Sequence, residues 1–557
     1  MRSAYRTALF RTALGVSVVA MVAAFIPSSE AAKSTTVATS SPKTQVAFVG
    51  TPFSQTPAKE PTNHKLSKAG APFVLQSSMI GRQSGEPTVG VDKKGVVFFP
   101  GDTFDTPGGE LARNLEMRST DGGLHWSDVS PKTGNVGSAP DSHPVTLDTI
   151  TWTDPTYGRT FSVDTLAAEG SLISFTDDEG ATWTSSFAAA SGVDDHETIV
   201  AGNVPDGSPL RTLDAKFPKI VYYCVNTVAA VSCSRSLDGG VTFTQMNSPF
   251  PTHPVPDPSD PGSAPDRALC SSLTGHLAVD RKGDVFLPSA FNAPGCGVPS
   301  VAVSTDGGTT WNDYPVSNIK DPINAMYAAA DSAGNLYVTW QDDKWNQPYM
   351  AVSRDLGKHW STPVMVAPPG VKVTNFPSLA AGDNGRVVIT FPGSTDENAN
   401  KPIGKTAPWN YYVVETQNAL AARPTFVSQI APIPSRLGGG NTVMHRGACR
   451  GRCGGLFDFL DVQVAPTAGG AAYASLSDDC TAACAKLPTG ASDDKSAGQG
   501  ILVRQIEGPA LTGHATRLGK QKFVLGSSVP AGAPALILLP LGVVVLRRRI
   551  VGRPAAD

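Results

Sequence analysis

The fold is decided by the stretch Ser304-Thr305-Asp306-Gly307-Gly308-Thr309-Thr310-Trp311 and by four further stretches of the same pattern, S/T-x-D-x-G-x-x-W/F. The others begin at Ser119, Thr176, Ser236 and Ser353 in a chain of 557 residues. Composition alone would produce far less than one match, so five copies indicate a repeated architecture. Their spacing of 49 to 68 residues suits one four-stranded propeller blade with variable loops. The repeat therefore predicts an all-β propeller.

The aspartate and the glycine of this pattern predict a tight turn. An Asp carboxylate can accept backbone N–H groups two residues on, and Gly takes the positive-φ conformation that other residues resist. The aromatic residue three positions after the Gly can fold back under the turn, where its burial contributes about 2 kcal/mol. We therefore expect the pattern aspartates to stabilise the fold and to take no part in catalysis. They are Asp121, Asp178, Asp238, Asp306 and Asp355.

The blade count follows from a second repeated unit, in which a short apolar strand, an Asp-x-x-Gly-type turn and another apolar strand follow one another. Its clearest copies span residues 91–99 and 279–287, and each is typical of the inner hairpin of a blade. Weaker copies span residues 152–162, 198–223, 329–338, 381–389 and 462–473. Seven copies predict seven blades, with six as the alternative. Residues 73–79 are predicted to be an outer strand that joins the last blade to the first.

The two ends of the chain predict export and anchoring. Three arginines precede an apolar run over residues 13–26, which is typical of a signal peptide over residues 1–32. A Ser/Thr/Pro-rich linker over 33–70, the propeller over 71–511 and a spacer over 512–528 follow. Residues 529–546 are almost wholly apolar and precede Arg547-Arg548-Arg549, which predicts a transmembrane anchor with a cytoplasmic tail over 547–557. The prolines in this run leave a soluble tail or a cleaved sorting signal as the alternative.

Cysteine usage agrees with a secreted protein anchored to the outer face of the cell membrane. All eight cysteines lie within the predicted ectodomain, and an even number in an oxidising compartment favours disulfides. Sequence proximity suggests one bond across a hairpin and a second between the next two cysteines, while the last four could pair locally or crosswise. Zinc binding by the two C-x-x-x-C pairs is the less favoured alternative. The eight are Cys224, Cys233, Cys270, Cys296, Cys449, Cys453, Cys480 and Cys484.

The charge distribution excludes one class of partner. The formal net charge is −3, and there is no basic cluster outside the terminal anchor, so nucleic-acid binding has no electrostatic basis. We expect an extracellular glycan or glycoprotein partner, contact with the membrane only through the C-terminal anchor, and a monomer.

The functional residues are predicted where the innermost strands begin, because side chains there face the central axis of a propeller. Five catalytic candidates are Glu86, Asp148, His196, Glu197 and Asp458, and three substrate-binding candidates are His276, Asn324 and Asn375. Paired carboxylates near an imidazole can act as acid and base in glycosidic cleavage. The same oxygens could instead bind Ca²⁺, or form a hydrogen-bonded plug between blades. No other cofactor is expected. Trp152, Trp340 and Trp409 are candidates for stacking on sugar rings.

The eight-residue pattern resembles the Asp box, or bacterial neuraminidase repeat, of sialidases and related β-propellers. Three further stretches resemble secreted, actinobacterial exo-alpha-sialidase-like proteins: residues 219–224 (KIVYYC), 273–276 (LTGH) and 456–461 (LFDFLD). The resemblance covers roughly residues 71–511. It implies a sialidase-like propeller with its Asp boxes on the blade periphery, away from the active centre.

One departure from the sialidase pattern bears on activity. The resemblance implies an Arg-Ile-Pro motif at the first inner strand, whereas this chain has Gly85-Glu86-Pro87 there. A Glu cannot make the bidentate contact of an Arg with the sialic acid carboxylate, and Glu86 would repel it. Asp105 lies roughly where the family has its catalytic acid, but no tyrosine nucleophile aligns. The sequence therefore leaves two hypotheses, a glycoside hydrolase acting on a neutral or differently charged sugar, and a non-catalytic surface propeller that binds a glycan or a protein.

Overall fold

The computed structural model of the chain describes residues 47–48, 73–82, 84–103, 113–131, 148–165, 170–187, 194–227, 231–250, 275–290, 299–317, 322–342, 347–399, 409–432, 460–467, 469–478, 499–513 and 518. Residues 1–43 form one unit and residues 44–557 another, and every described residue belongs to the second unit. The predicted signal peptide and the predicted anchor lie outside the described residues. Within the described ranges, no helix has the length and apolar character needed to cross a membrane.

Seven antiparallel sheets make up the second unit. The chain starts with β1 (Ala47–Phe48) and β2 (Val74–Met79), which serve as outer strands of the last two blades. Blade 1 contains β3 (Gly90–Val91), β4 (Val97–Thr103), β5 (Arg113–Ser119) and β6 (Ser127–Asp128). Blade 2 contains β7 (Thr149–Thr153), β8 (Thr160–Thr165), β9 (Ser171–Thr176) and β10 (Thr184–Phe187). Blade 3 contains β11 (Asp194–Gly202), β12 (Ile220–Thr227), β13 (Val231–Ser236) and β14 (Thr244–Gln245).

The remaining four blades repeat this order. Blade 4 contains β15 (Ala278–Val279), β16 (Val285–Ala290), β17 (Pro299–Ser304) and β18 (Asn312–Pro315). Blade 5 contains β19 (Pro322–Ala330), β20 (Leu336–Asp342), β21 (Pro348–Ser353) and β22 (Val364–Met365). Blade 6 contains β23 (Val373–Thr374), β24 (Ser378–Ala381), β25 (Val387–Ser394), β26 (Asn410–Thr416) and β27 (Thr425–Ile430), with β1 parallel to β27. Blade 7 contains β28 (Val462–Val464), β29 (Ala472–Asp478) and β30 (Gln499–Glu507), with β2 antiparallel to β30.

The blades form a closed ring of seven. Neighbouring inner strands are in contact all the way round, and β28 of blade 7 contacts β3 of blade 1. All seven predicted inner hairpins are present, so seven blades are confirmed and the six-blade alternative is wrong. The predicted closure is also found, because β2 supplies the outer strand of blade 7. Apolar side chains between adjacent sheets form the core, as in the cluster that contains Phe161, Tyr223 and Phe391.

The two ends of the propeller differ. We call the end where the inner strands begin the upper end, and the end that carries the inner-hairpin turns the lower end. Antiparallel order places the second-to-third strand connections and the connections between blades at the upper end. These include the longest connections, from Gln245 to Ala278 and from Ile430 to Val462. At the lower end, the turns between the third and fourth strands span only seven residues in blades 1 to 4, as over residues 120–126.

The five pattern turns share one hydrogen-bond network at this lower end. In blade 4, the Ser304 hydroxyl donates to Asp306 at 2.9 Å, and the Gly308 N–H donates to Ser304 at 2.8 Å. The Asp306 carboxylate accepts both the backbone N–H and the hydroxyl of Thr310, at 2.9 and 2.7 Å. The turns of Asp121, Asp178, Asp238 and Asp355 repeat the backbone contact, and the side-chain donor is Thr182 or Thr242 in two of them and His125 or His359 in the other two. The expected turn is therefore present, but the main N–H donor lies four residues after the Asp instead of two.

The glycines of these turns bring each blade against the one before it. A Cβ at Gly308 in blade 4 would lie 2.1 Å from the sulfur of Met246 in blade 3. A Cβ at Gly180 in blade 2 would lie 2.8 Å from Val129, which follows the last strand of blade 1. Real Cβ atoms do not approach so closely, so only glycine lets the turn fit into its neighbour. The pattern turns thus hold blades together as well as closing hairpins.

Candidate functional site

One register position of the inner strand, near the axis, recurs in every blade. It lies four residues before the residue that begins the inner-hairpin turn, as Thr88 lies before Asp92 and His276 before Asp280. We call these seven residues the axial layer. They are Thr88, Ile150, Thr198, His276, Tyr327, Ser378 and Asp461.

Polar side chains of the axial layer bond one blade to the next. The Thr88 hydroxyl of blade 1 accepts the N–H of Thr151 in blade 2 at 2.8 Å. Thr198 of blade 3 accepts the N–H of Leu277 in blade 4 at 2.9 Å. The Asp461 carboxylate of blade 7 accepts the N–H of Val89 in blade 1 at 3.4 Å. These contacts satisfy backbone groups at the upper ends of short strands, where few ladder bonds are available.

His276 and Asp461 meet on the axis itself. They belong to blades 4 and 7, on opposite sides of the ring, yet His276 Nδ1 lies 3.5 Å from Asp461 Oδ1. The His276 ring also lies against Tyr327 of blade 5, with 4.6 Å between ring centroids. An imidazole, a carboxylate and a phenol from three blades therefore share one small volume. His276 is the most accessible of the three, with 19% of its side chain exposed.

A second layer lies two residues earlier in the inner strands and contains Glu86, Asp148, His196 and Phe376. The Asp148 carboxylate accepts the N–H of His196 at 3.3 Å, which joins blade 2 to blade 3. Glu86, His196 and Phe376 have positive φ angles of 45°, 53° and 45°. Such a conformation costs non-glycine residues on the order of 1 kcal/mol or more and is enriched at functional sites. The backbone is thus strained at the same point of three blades.

The axial tyrosine is neutral at physiological pH. Burial raises the pKa of Tyr327 well above its usual value, and the nearby Asp461, Tyr411 and Glu86 raise it further. A phenolate nucleophile is therefore strongly disfavoured here, because the surrounding carboxylates repel the negative charge that it would carry. Tyr327 can instead act as a hydrogen-bond donor.

The structure places some of the predicted site residues near the axis and others away from it. Glu86, Asp148, His196 and His276 belong to the two layers on the axis. Glu197 is 1% exposed and lies in the irregular part of β11, where the pairing with β12 shifts between Asp195 and Thr198. Asn375 is 1% exposed in the link between β23 and β24, where its N–H donates to the Pro392 carbonyl.

The other predicted residues are not all described. Asn324 lies within β19, at the irregular pairing between Ile323 and Tyr327. Asp458 and Asp105 lie outside the described residues. No group of three or more His, Cys, Asp or Glu side chains suited to a metal ion occurs in the described ranges.

The predicted sugar-stacking role is wrong for two of the three tryptophans. Trp340 and Trp409 are fully buried in the core between blades. Trp152 is partly buried and packs against two apolar clusters. Their sequence positions suggested the upper end, but their large apolar surfaces are used in packing.

Sequence reasoning missed Asp461 and Tyr327. Asp461 is the last residue of the stretch 456–461, in which the sequence pattern predicted Asp458 as the residue before the strand. Counting four residues back from each turn would have found both Asp461 and Tyr327. The register of the inner strands therefore identifies both residues. The nearest polar residue before the strand is a poorer guide, because it ignores that register.

One disulfide is confirmed. Cys224 and Cys233 lie directly opposite each other on β12 and β13 and are bonded, as sequence proximity predicted. The other six cysteines lie outside the described residues. All six fall in sequence segments that leave and rejoin the blades at the upper end.

No family model and no curated protein sequence matches the chain. Among solved structures, it is similar to the phage phi92 endosialidase, at 11% identity and a TM-score of 0.41 over 83% of this chain and 72% of that chain. It is similar to a Hadza microbial sialidase, at 14% identity and a TM-score of 0.37 over 56% of this chain and 64% of that chain. It is also similar to the Aleuria aurantia lectin, at 10% identity and a TM-score of 0.36 over 64% of this chain and 99% of that chain. All three TM-scores are low, so the fold assignment rests on the seven sheets themselves.

Proposed function

We propose that this protein is a secreted, membrane-anchored, sialidase-like propeller of the Asp-box type that binds extracellular glycans at the upper end of its axis. The observation that carries the proposal is the contact of His276 with Asp461 on the axis. It lies at the end from which the longest connections leave, and connecting loops carry binding residues in many folds. Carboxylate, imidazole and neutral phenol groups are suited to hydrogen bonds with sugar hydroxyls.

Neutral glycans suit this site better than sialylated ones. The described groups of the two layers include Glu86, Asp148 and Asp461 but neither Lys nor Arg. A sialic acid carboxylate placed near these three carboxylates would be repelled, and the two described layers offer it no guanidinium. The missing Arg at position 86 and the raised pKa of Tyr327 both weigh against sialidase chemistry.

The test is a glycan array probed with the purified full-length protein, with and without Ca²⁺. We expect binding to neutral glycans and no preference for sialylated ones. His276→Ala should weaken binding by about tenfold or more, because it removes the accessible polar group of the site. The matched control is His359→Ala, since His359 lies on a lower-end turn with 89% of its side chain exposed. Unchanged binding by the His276 variant, or binding confined to sialosides, would contradict the proposal.

Glycoside hydrolysis is the second candidate, because an imidazole and a carboxylate in contact could transfer a proton. Asp461 and Glu86 are only 4% and 0% exposed, so a sugar reaches His276 more readily than either carboxylate, which favours binding through His276 over acid–base chemistry. A screen of fluorogenic neutral glycosides distinguishes the two. Turnover by the wild type that Asp461→Asn abolishes would establish the hydrolase and replace the binding proposal.

A further inference from the structure

A cavity of about 470 Å³ lies at the lower end, between blades 3, 4 and 5. This volume is within the range of small-molecule sites. Its walls come from the β11–β12 connection, the inner-hairpin turn of blade 4 and the pattern turns of blades 4 and 5. The charged and aromatic side chains that line it are Asp206, Lys282, Asp284, Tyr314 and Lys358. The axial site lies at the opposite end, so the cavity is separate from the proposed glycan site.

Asp284 is the unusual residue of this cavity. In the inner-hairpin turn of blade 4, Asp280 accepts the backbone N–H groups of Lys282 and Asp284 at 2.8 and 2.9 Å. In the same turn of blade 1, Asp92 accepts the N–H groups of Lys94 and Val96, both at 2.8 Å. Val96 thus occupies the place of Asp284 and makes the same backbone contact. The turn uses only the main chain at this position and does not need a carboxylate.

The Asp284 carboxylate is buried at a cost. The residue is 7% exposed and lines the cavity, and no residue in the described part of the chain donates a hydrogen bond to its side chain. Burial and the neighbouring Asp280 raise its pKa to about 6, with Lys282 acting in the opposite direction. Burial therefore makes the ionised carboxylate unfavourable in the folded state. Because it lines the cavity, either water or a bound molecule can donate hydrogen bonds to it there.

The surroundings restrict what that molecule can be. The two lysines in the lining would repel a divalent cation, and Asp206 and Asp284 would repel a simple anion. The other lining residues are the apolar Pro205, Val303 and Leu356 and the uncharged polar residues Thr305 and Asn312. A ligand with a positive end, a negative end and an apolar part satisfies all three kinds of wall.

We propose that this cavity binds a small zwitterion of dipeptide size, whose ammonium group pairs with Asp284 and whose carboxylate pairs with Lys358. Lys358 belongs to the pattern turn of blade 5, on a different blade from Asp284, so the two charges can hold the two ends of one molecule. The apolar wall then contacts the side chains of the dipeptide.

Ligand-observed NMR with a panel of glycyl dipeptides and the full-length protein tests this proposal. We expect binding by dipeptides with an apolar second residue, such as Gly-Leu. N-acetylation removes the ammonium charge and C-terminal amidation removes the carboxylate, so each should weaken binding at least tenfold. Equal binding of the N-acetylated form, or no binding by any dipeptide of the panel, would overturn the proposal.

The Asp284→Val variant separates a binding role from a structural one. Because blade 1 has Val96 in the same turn, this variant should fold and should unfold at a higher temperature than the wild type, while dipeptide binding falls at least tenfold. Glu397→Gln is the control, since it removes one exposed carboxylate outside the cavity. A lower unfolding temperature for Asp284→Val would show that the carboxylate is structural and would overturn the inference.

Discussion

The aspartates of the five pattern turns show how far single residues could be predicted. Their role depends on contacts within a few positions of the chain, which sequence spacing contains in full. The His359 imidazole and N–H donate to Asp355 and hold the pKa of its carboxyl at about 2. In Asp306, burial alone would raise the pKa, but the hydrogen bonds from Thr310 and Ser304 lower it. The hydrogen bonds keep both carboxylates ionised and hold the two turns together, so these aspartates have a structural role.

Replacing one of these aspartates should therefore destabilise the protein without affecting glycan binding. Asp306→Ala removes the acceptor for Ser304, Thr309 and Thr310 and should lower the free energy of unfolding by about 1–3 kcal/mol. Chemical denaturation measures the loss. Glu397→Ala, at an exposed position, is the control and should change the stability by less than about 0.5 kcal/mol. A loss of binding in the Asp306 variant with unchanged stability would refute the structural role.

The axial residues show where prediction at the residue scale stops. Glu86, Asp148, His196 and His276 were found because polar residues at strand starts are visible in the sequence. The meeting of His276 with Asp461 was not visible, because they are 185 positions apart in the chain, with blades 5 and 6 between them. Their contact depends on ring closure and on the register of both inner strands. The positive φ angles of Glu86 and His196 also have no local sequence signal, since glycine is the usual marker of that conformation.

At the scale of the strand, short apolar strands and their turn residues predicted the seven inner hairpins. They did not predict the contacts between blades. Glu116 on β5 illustrates the point. It is 0% exposed, and its carboxylate accepts the Thr151 hydroxyl of blade 2 at 2.5 Å. Burial raises its pKa to about 8, while bonds from Thr151 and Ser162 act in the opposite direction and Asp164 raises it further. The protonated acid is thus the form that the interface of blades 1 and 2 favours.

This interface predicts a stability that depends on pH. The folded state binds the Glu116 proton more tightly than the unfolded state, so its contribution is fully present below about pH 4.5 and is lost as pH rises to about 8. Glu116→Gln keeps the shape and removes the charge. It should therefore be more stable than the wild type at pH 9, by a few kcal/mol in order of magnitude, and close to it at pH 5. Denaturation at both pH values measures the difference, and an equal effect at the two values would contradict the assignment.

At the scale of the whole molecule, the ring is closed by residues from its two ends. β2 pairs with β30 in blade 7, with Ser77 opposite Val503. The sequence predicted this closure from the strand-like character of residues 73–79. The 470 Å³ cavity of the lower end was not predicted, because it is formed by turns of three blades that no local pattern relates.

Breaking the closure should have a large effect on the whole ring. Ser78→Pro removes a backbone N–H that faces Leu502 of β30, at a hydrogen-bonded position of the ladder two residues before the Ile80 N–H that donates to Gly500, and adds a ring that this position does not accommodate. We expect a fall in unfolding temperature and faster proteolysis throughout the propeller. Ser78→Ala is the matched control, because it shortens the same side chain and keeps the backbone N–H. Similar behaviour of the two variants would show that β2 is dispensable.

The same pairing constrains how the protein is made. β2 leaves the ribosome about 420 residues before β30, so at about 5–20 residues per second it waits for at least about 20 s without its partner. During that time it is an open edge to which another nascent chain could add. Its centre, Gln76-Ser77-Ser78, is polar, which lowers the tendency of a waiting strand to aggregate. Blade 7 can be completed only after β30, the last strand in the described part of the chain, has been translated.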